Sequence, residues 1–101
     1  MAGFTLSRLA ETDLEGVAEY TLQRWGEAQA EKYLSEMETC CRMLASNPQL
    51  GRACDDIRPG LRRMERGEHI VFYRIIAAEV FVVRILHRAM VPQRHAIDQK
   101  E

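Results

Sequence analysis

The sequence HIVFYRIIAAEVFVVRILH, residues 69–87, is rich in Val, Ile, Phe and Tyr and contains neither Gly nor Pro. β-Branched and aromatic residues favour strands. The segment is too long for one ordinary strand, and its Arg and Glu residues are unlike those of a membrane span. It therefore predicts a β-hairpin with Ala77 and Ala78 at the centre of its loop. Helix is the competing interpretation, because periodicity alone does not separate short apolar runs.

This loop position predicts the pairing of the two strands and the faces of their side chains. The expected pairs are Ile75 with Val80, Tyr73 with Val82, and Val71 with Arg84. Alternation then places Phe81, Val83 and Ile85 on one face of the second strand, and Val80, Val82, Arg84 and Leu86 on the other. Apolar residues on both faces predict a central hairpin in a sheet that is covered on two sides.

Two amphipathic helices are predicted before this hairpin. The first begins with Ser7 or Thr12 as its N-cap and ends at Gly26, and the second ends at Asn47-Pro48. Both show the apolar spacing of a helix with one buried face. The first stripe is Leu14, Val17, Ala18, Thr21, Leu22 and Trp25, and the second is Ala30, Tyr33, Leu34, Met37, Cys41 and Leu44.

The remaining segments complete an α+β domain. Residues 4–7 are expected to form a short edge strand, and residues 48–60 an irregular segment held to the core by Leu50 and Ile57. Residues 61–66 are predicted to form a strand that turns at Gly67-Glu68 into the hairpin. The predicted fold is an N-terminal strand, an antiparallel two-helix hairpin and a three-stranded antiparallel β-meander. Residues 1–101 form one domain in this prediction, with 96–101 as a flexible tail.

The composition is that of an ordinary globular protein, with 101 residues, 47% hydrophobic and 29% charged. A chain of this length has one core and needs no disulfide or metal to fold. Neither a signal peptide nor a membrane-spanning segment is recognisable, so a cytoplasmic location is expected. The cysteines, Cys40, Cys41 and Cys54, lack the spacing of a zinc site and fit reduced thiols. No metal or cofactor is expected.

Charge is distributed unevenly along the chain. Residues 1–51 carry four basic and eight acidic groups, a balance of −4, whereas residues 52–95 carry nine arginines and five acids, a balance of +4. Arginine is suited to carboxylate, phosphate and aromatic partners. The basic half is therefore compatible with an acidic protein segment, with a nucleic acid, or with the acidic half of the same chain.

The order of these elements and their motifs resembles the ParE branch of the RelE/ParE superfamily, the toxins of bacterial type II toxin–antitoxin modules. The resemblance runs over residues 4–97 and is carried by the motifs in their order and spacing. These are Leu6-Ser7, Ala10 with Asp13-Leu14, Tyr20, Arg24-Trp25-Gly26 with Gln29-Ala30, Asn47-Pro48 through Gly51-Arg52, Asp55-Asp56-Ile57-Arg58-Pro59-Gly60, Phe72-Tyr73-Arg74, Arg84-Ile85-Leu86-His87, Met90 and Arg94-His95.

The resemblance implies a small toxin that poisons DNA gyrase and is neutralised by a cognate ParD-like antitoxin in a hetero-oligomer. RelE-like relatives instead cut messenger RNA on the ribosome, and this is the alternative function. A third alternative is a degenerate member that binds its partner and poisons nothing. Antitoxins of such pairs wrap an acidic, amphipathic segment around the toxin. Sequence-specific nucleic-acid binding is not expected.

A nuclease interpretation has candidate residues but no convincing arrangement of them. His69, Tyr73 and His87 are candidate proton carriers, and Arg74 and Arg84 are candidate phosphate ligands. The predicted alternation places Arg74 and Arg84 on opposite faces, and His87 away from Arg84. The favoured role of Arg84 is an ion pair, with Asp55 or Asp56 as candidate partners, and the two histidines are expected to be hydrogen-bonding residues at strand ends. Residues 55–60 are expected to form an Asx-type turn.

The sequence therefore predicts a binding protein rather than an enzyme. The helix hairpin and the arginines near the sheet are the expected antitoxin-binding surface, through Leu22, Trp25, Tyr33, Arg62, Arg63 and Arg66. Trp25 suits either the core or the rim of a groove. The arginine-bearing sheet face and the tail are the expected target-binding surface, through Arg74, Arg84, His87, Arg88, Met90 and Arg94. A strand added to the sheet edge is a second expected binding mode.

Overall fold

The structure, a computed structural model, describes residues 3–90 and contains two helices and five strands in that range. In chain order the elements are β1 (Phe4–Leu6), α1 (Arg8–Trp25), α2 (Glu27–Ser46), β2 (Arg52–Ala53), β3 (Arg62–Arg66), β4 (His69–Ile76) and β5 (Glu79–His87). The predicted α+β fold is confirmed. The short strand β2 is an addition, since it lies in the segment that was expected to be irregular.

The five strands form one mixed sheet in the order β1-β5-β4-β3-β2. Strand β1 pairs with β5 in parallel at one edge, and the other neighbours are antiparallel. The predicted positions of the hairpin and of the N-terminal edge strand are therefore confirmed. One face of the sheet packs on both helices, and the other packs on the loop that contains Cys54, Ile57 and Leu61.

The turn between β4 and β5 has the expected centre. Ala77 and Ala78 both adopt positive φ angles, +53° and +67°. Two successive residues of this kind make the mirror-image turn that matches the right-handed twist of a hairpin. The loop position predicted from the sequence is confirmed, although alanine is an unusual residue for this conformation.

A β-bulge in β5 changes the predicted register beyond the middle of the hairpin. Tyr73 pairs with Val82 as expected, but Phe72 pairs with Arg84, so that Val83 is an extra residue on β5. The predicted pairing of Val71 with Arg84 is therefore wrong. Beyond the bulge the alternation is reversed, because one inserted residue exchanges the two faces.

The bulge redistributes the apolar residues of β5 between the two cores. Ile85 joins Val80 and Val82 in the core beneath the helices. Leu86 joins Val83 on the opposite face, in the core beneath the loop. The predicted grouping of Ile85 with Phe81 and Val83, and of Leu86 with Val80 and Val82, is wrong for this reason.

Helix α1 supplies the hydrogen bonds that the bulge leaves open. The Ser7 hydroxyl donates to the carbonyl of Val83 at 2.7 Å and accepts the N–H of Ala10 at 2.9 Å, which confirms Ser7 as the N-cap. The Asp13 carboxylate accepts the N–H of Ile85 at 3.0 Å and pairs with the Arg84 guanidinium at 2.8 and 3.0 Å. Because buried backbone groups must be paired, these contacts fix α1 at the bulge.

The apolar stripe of α2 is largely buried as predicted, whereas that of α1 is displaced. Ala10, Val17 and Thr21 are the buried residues of α1. Leu22 follows Thr21 by one residue, about 100° around the helix, and is 49% exposed. Trp25, at the last position of the helix, is 45% exposed, so Leu22 and Trp25 lie outside the buried face although their spacing places them in the apolar stripe.

The loop after α2 is held by its backbone rather than by Leu50. Tyr73 is fully buried, and its hydroxyl donates to the carbonyl of Pro48 at 2.7 Å and accepts the N–H of Gly51 at 2.9 Å. Leu50 is 41% exposed, so its predicted anchoring role is wrong. Ile57 does pack against the second core, as predicted.

The first prediction concerns the pair of Asp13 with Arg84, whose side chains are only 13% and 14% exposed. The substitution Asp13→Asn removes the carboxylate charge and should lower the free energy of unfolding by about 3 kcal/mol, because a shielded cation loses its counter-ion. Urea denaturation measures the change.

The matched control is Glu38→Gln, which breaks the ion pair with Arg42 on the exposed face of α2. This change should cost at most about 0.5 kcal/mol, because exposed pairs contribute little. Equal effects of the two substitutions would contradict the role assigned to Asp13.

Candidate partner-binding surface

Tyr33 on α2 joins the helical hairpin to the turn between β3 and β4. Its hydroxyl lies 2.9 Å from the N–H of Glu68, 3.1 Å from the carbonyl of Arg66 and 2.7 Å from Nδ1 of His69. Burial raises the pKa of the Tyr33 phenol, although its hydrogen bond with the backbone of Glu68 opposes the effect. Tyr33 therefore acts as a neutral hydrogen-bonding group.

The close approach of Tyr33 to this turn requires Gly67. Gly67 has a φ of +60°, and a Cβ added there would lie 2.6 Å from the Tyr33 ring. Both the left-handed conformation and the lack of space favour glycine. The turn predicted at Gly67-Glu68 is confirmed.

His69 and His87 lie opposite each other at the ends of β4 and β5. Their ring centroids are 5.2 Å apart and the rings are nearly perpendicular. His87 Nδ1 accepts the N–H of Ala89 at 3.0 Å, and its Nε2 lies 3.3 Å from a carboxylate oxygen of Glu68. The prediction that both histidines are hydrogen-bonding residues at strand ends is confirmed.

An aromatic cluster extends from these histidines to the end of α1. Tyr20 contacts His69, His87 and Trp25 edge to face, with centroid distances of 6.3, 5.8 and 6.2 Å. The Arg24 guanidinium lies over the rings of Tyr20 and Trp25, at 5.3 and 5.6 Å. Trp25 is thus an exposed rim residue with one edge packed, the second of the two roles considered from the sequence.

Three concave regions surround this cluster and the helices. An apolar groove of about 620 Å³ lies between α1, α2 and β1, with Leu14, Leu34 and Met37 among its lining residues. A recess of about 310 Å³ is bordered by Trp25 and Tyr33. A third cavity, of about 320 Å³, lies between α1 and the end of β5; it is called the hairpin-end cavity below.

The arginines predicted to bind the antitoxin differ in how freely they are available. Arg62 donates to the carbonyls of Gln49 and Gly51 and so holds the loop after α2. Arg63 pairs with Glu65 at 3.0 Å, and Glu65 also pairs with Arg52 at 2.9 Å. Burial alone would raise the pKa of Glu65, but the two arginines outweigh it and lower that pKa. Arg66 is partly buried, and its backbone carbonyl accepts a hydrogen bond from the Tyr33 hydroxyl.

The residues predicted to bind the target are only partly brought together. Arg84, His87 and Met90 all line the hairpin-end cavity, and Met90 is 52% exposed. The expectation that His87 lies away from Arg84 is wrong, because both residues border this cavity. The bulge precedes both residues, and the Arg84 side chain reaches the cavity through its pairing with Asp13 of α1. Arg88 is exposed and its N–H donates to the carbonyl of Glu68 at 2.8 Å. Arg94, like the predicted tail 96–101, lies outside the described residues.

The candidate catalytic residues do not share one hollow. His69, Arg84 and His87 line the hairpin-end cavity. Tyr73 is buried with its hydroxyl bound to the loop after α2. Arg74 pairs with Phe81 and Arg84 pairs with Phe72, and both partners pack on the loop side of the sheet, so the register does not place the two arginines on opposite faces as predicted. The Arg84 guanidinium is nevertheless bound by Asp13 of α1.

The acidic turn at residues 55–60 has a structural role in the described part of the chain. Asp55 accepts the N–H of Gly60, five residues further on, at 2.8 Å and so closes this segment. An Asx-type turn bonds the N–H two residues on, so this contact is a wider closure than the predicted turn. Asp13 is the carboxylate that binds Arg84, so the candidate partners Asp55 and Asp56 were wrong. The sequence carries only a weak signal for Asp13, because an acid early in a helix is also expected simply to complement the helix dipole.

Two other residues of the surface, Tyr20 and Glu68, were not singled out for a site. Tyr20 precedes the buried Thr21, and Glu68 lies in a turn where charged residues are common. Their importance depends on the bulge, which turns Ile85 and His87 toward α1. No local pattern in the sequence signals that contact.

The cysteines are buried and free, and burial raises the pKa of all three thiols, that of Cys41 to about 12. Among residues 3–90, no cluster of three or more His, Cys, Asp or Glu side chains could hold a metal ion. Over the same residues, no helix is both long and apolar enough to cross a membrane.

Known structures place this architecture in a defined class. A chain of the chromosomal ParDE toxin–antitoxin system of Pseudomonas aeruginosa superposes with a TM-score of 0.73 at 21% identity, covering 86% of this chain and 96% of that chain. A chain of the toxin–antitoxin complex RelBE2 of Mycobacterium tuberculosis gives a TM-score of 0.66 at 19% identity, covering 86% and 98%. The protein has the RelE/ParE-like toxin fold.

Sequence similarity is more specific. Toxin ParE1 of Mycobacterium tuberculosis is 44% identical over 88 residues, 86% of this chain and 90% of the relative. Toxin ParE1 of Caulobacter vibrioides is 38% identical over 95 residues, 94% and 98% of the two chains. The family described as "ParE toxin of type II toxin-antitoxin system, parDE" matches residues 4–92. The chain belongs to the ParE toxin family, as the resemblance implied.

The second prediction concerns pH. Burial lowers the pKa of His69 below its ordinary value of 6.5, and His87 lowers it further, against an opposing effect of Glu68. The unfolded chain therefore takes up this proton at a higher pH than the folded protein does. The contribution of His69 to the free energy of unfolding is constant above pH 6.5, falls as the pH drops from 6.5 toward the lower folded-state pKa, and is constant again below that pKa.

Urea denaturation at several pH values between roughly 7.5 and 5 measures this loss. The substitution His69→Gln should flatten the profile in that interval, because glutamine does not titrate. Glu79→Gln, at an exposed position beside the β4–β5 turn, is the control and should leave the profile as in the unaltered protein. A profile that is unchanged by His69→Gln would refute the assignment.

Proposed function

We propose that this ParE-family toxin is held inactive in the cytoplasm by a cognate ParD-like antitoxin, and that it acts by binding and poisoning DNA gyrase. The observation that carries a binding mode is the exposed aromatic and basic surface formed by α1 and the ends of β4 and β5. Leu22 and Trp25 are 49% and 45% exposed there. Exposed tryptophan and arginine are the residues on which protein interfaces most depend.

Binding rather than catalysis is supported by how the polar groups are used. Metal-free RNA cleavage needs a base, an acid and cations around one phosphate. Here the Tyr73 hydroxyl is used to hold a loop, and Asp13 neutralises Arg84. These contacts favour structural roles for Tyr73 and Arg84. The target would then be recognised by the surface of the protein and not by a reacting group.

The antitoxin is proposed to lie over the helix hairpin and to reach the arginines near the sheet. Its apolar residues would contact Leu22, Trp25 and Tyr33, and its acids would contact Arg63 and Arg66. The Arg62 guanidinium is bound to two loop carbonyls, so its contribution would be to shape this surface. The apolar groove between α1, α2 and β1 extends the same face and suits an amphipathic helix.

The target is proposed to contact Arg84, His87, Arg88 and Met90 at the end of β5, with Arg74 on β4 and Arg94 beyond the described residues. A RelE-like ribosome-dependent endonuclease is the second candidate function. It is favoured by one observation, that two imidazoles and a guanidinium border the same cavity.

The third prediction separates these two functions. Purified toxin should inhibit supercoiling by bacterial DNA gyrase or cause cleaved DNA to accumulate, while ribosome-bound messenger RNA stays intact. Arg88→Glu should weaken gyrase inhibition by about tenfold or more, since a favourable charge becomes repulsive. Arg42→Glu, on the exposed face of α2, is the control and should inhibit like the unaltered toxin.

Cleavage of messenger RNA at codon positions would assign the chain to the endonuclease branch. Failure to arrest growth when the toxin is expressed without its antitoxin would indicate a degenerate member that only binds its partner. Equal inhibition by Arg88→Glu and the unaltered toxin would remove the proposed target surface.

The fourth prediction concerns the antitoxin. Trp25→Ala should weaken binding of the cognate antitoxin by about 10- to 100-fold, as expected for a hot-spot residue. Calorimetric titration measures the affinity, and its salt dependence should decrease in Arg66→Glu because a screened ion pair is lost.

Met43→Ala is the matched control, because Met43 is also 45% exposed but lies near the end of α2, away from the aromatic cluster. The affinity of this variant should stay within about threefold of that of the unaltered toxin, since most truncations of interface side chains to alanine cost under about 1 kcal/mol. Similar losses for the tryptophan and methionine variants would argue against the proposed surface.

A further inference from the structure

The hairpin-end cavity contains a nitrogen lone pair for which the described residues offer no partner. The cavity of about 320 Å³ is bordered on one side by Thr12, Gly16 and Tyr20 of α1, and on the other by His69 and His87 at the ends of the central strands. His69 is only 5% exposed, yet its ring is part of the wall. The contact with Tyr33 determines which of the two His69 ring nitrogens carries the proton.

Counting hydrogen bonds at Tyr33 assigns the His69 tautomer. A phenol has one proton to donate and two lone pairs with which to accept. The N–H of Glu68 uses one lone pair, and the carbonyl of Arg66, which can only accept, uses the proton. The remaining contact, 2.7 Å from Nδ1 of His69, is then a bond that Nδ1–H donates to the second lone pair.

With Nδ1 protonated, a neutral His69 carries a bare lone pair on Nε2. Burial lowers the pKa of His69, which keeps the ring neutral near pH 7. His87 does not supply a donor, because its Nδ1 accepts the N–H of Ala89 and its Nε2 faces Glu68. Among residues 3–90 no donor lies within hydrogen-bonding distance of His69 Nε2, which is left to the cavity. The Nε2 atom is not fully enclosed, so it is reachable from the cavity, where a donor can bind to it.

The walls of the cavity indicate the shape of its ligand. The rings of Tyr20, His69 and His87 contact one another at interplanar angles of 70–84°, so a flat ring packed against the cavity side of this cluster would extend it edge to face. Val17 and Ile85 add apolar surface, and the Met90 side chain lies at the rim. The Arg84 charge is neutralised by Asp13, so the cavity has no net attraction for ions.

Gly16 provides a second, independent indication. It lies in the middle of α1, where glycine costs about 1 kcal/mol relative to alanine. A Cβ at this position would meet nothing within 4 Å, so no packing inside the chain requires glycine. The missing side chain instead leaves the helix backbone open to close approach by something in the cavity.

We propose that the hairpin-end cavity binds a flat aromatic group with one N–H or O–H donor, an indole or a phenol, and that His69 Nε2 accepts this hydrogen bond. Tyr33 is then a positioning residue that fixes the tautomer, and Gly16 is the position that admits the ring. The proposal does not depend on the target or the antitoxin, since it rests on contacts within one chain.

Nitrogen NMR of the histidine rings in the full-length protein, with indole as the probe, tests this at about pH 7.5. His69 should show the Nδ1–H tautomer, and its Nε2 signal should shift saturably with indole. The analogue 1-methylindole, which lacks the N–H donor, should bind at least about tenfold more weakly than indole, because the Nε2 acceptor is left unpaired. Comparison of indole with N-acetyltryptophanamide distinguishes a free compound from a protein side chain as the natural source.

Gly16→Leu places a side chain in the cavity and should abolish the indole shift. The protein should stay folded, because leucine favours a helix more than glycine does. Glu19→Leu, also exposed on α1 but not a cavity residue, is the control and should bind indole normally. Tyr33→Phe should shift the tautomer of His69 toward Nε2–H and weaken binding. An Nε2–H tautomer in the unaltered protein, equal binding of indole and 1-methylindole, or indole binding unaffected by Gly16→Leu would each overturn the proposal.

Discussion

The β-bulge at Val83 is the constraint on which the rest of this structure depends. A regular strand would present Leu86 to the helices and turn Ile85 and His87 away from them. One additional residue reverses this order and leaves a carbonyl and an N–H of β5 without partners in the ladder. Ser7 and Asp13, which lie at the start of α1, satisfy both groups. The helix position, the core and the aromatic cluster are therefore consequences of the same irregularity.

Much of the fold could be predicted because it depends on local chemistry. Ser7 and Gly26 delimit α1 through capping, and two alanines between β-rich runs locate the hairpin turn. The bulge could not be predicted, because the contacts that accompany it come from Ser7 and Asp13, 76 and 72 residues away along the chain. Every error in the faces of β5, and the wrong partner for Arg84, follows from that omission. Local patterns determine elements, whereas the contacts between distant elements determine which side chains share a surface.

The arginines of the basic half show why net charge is a weak guide to a binding site. Arg62 holds a loop by its carbonyls, Arg63 and Arg52 share Glu65, and Arg84 is neutralised by Asp13. Of the three explanations considered for the charge asymmetry, the internal match between the two halves applies to Arg84 alone among these pairs, since Glu65 belongs to the basic half itself. The aromatic residues around Tyr20 are a more informative feature of the surface, because Trp25 among them is 45% exposed although it is costly to hydrate.

The parallel pairing of β1 with β5 has a consequence for how the chain is made. Ser7 and Val83, which are joined by a hydrogen bond, are 76 residues apart. During translation the first strand leaves the ribosome with its helices but without the strand that it must pair with. The β4–β5 hairpin needs only a tight turn to form, whereas β1 must await it and then close a loop that spans most of the chain. A nascent toxin of this fold therefore cannot complete its sheet until β5 has been synthesised.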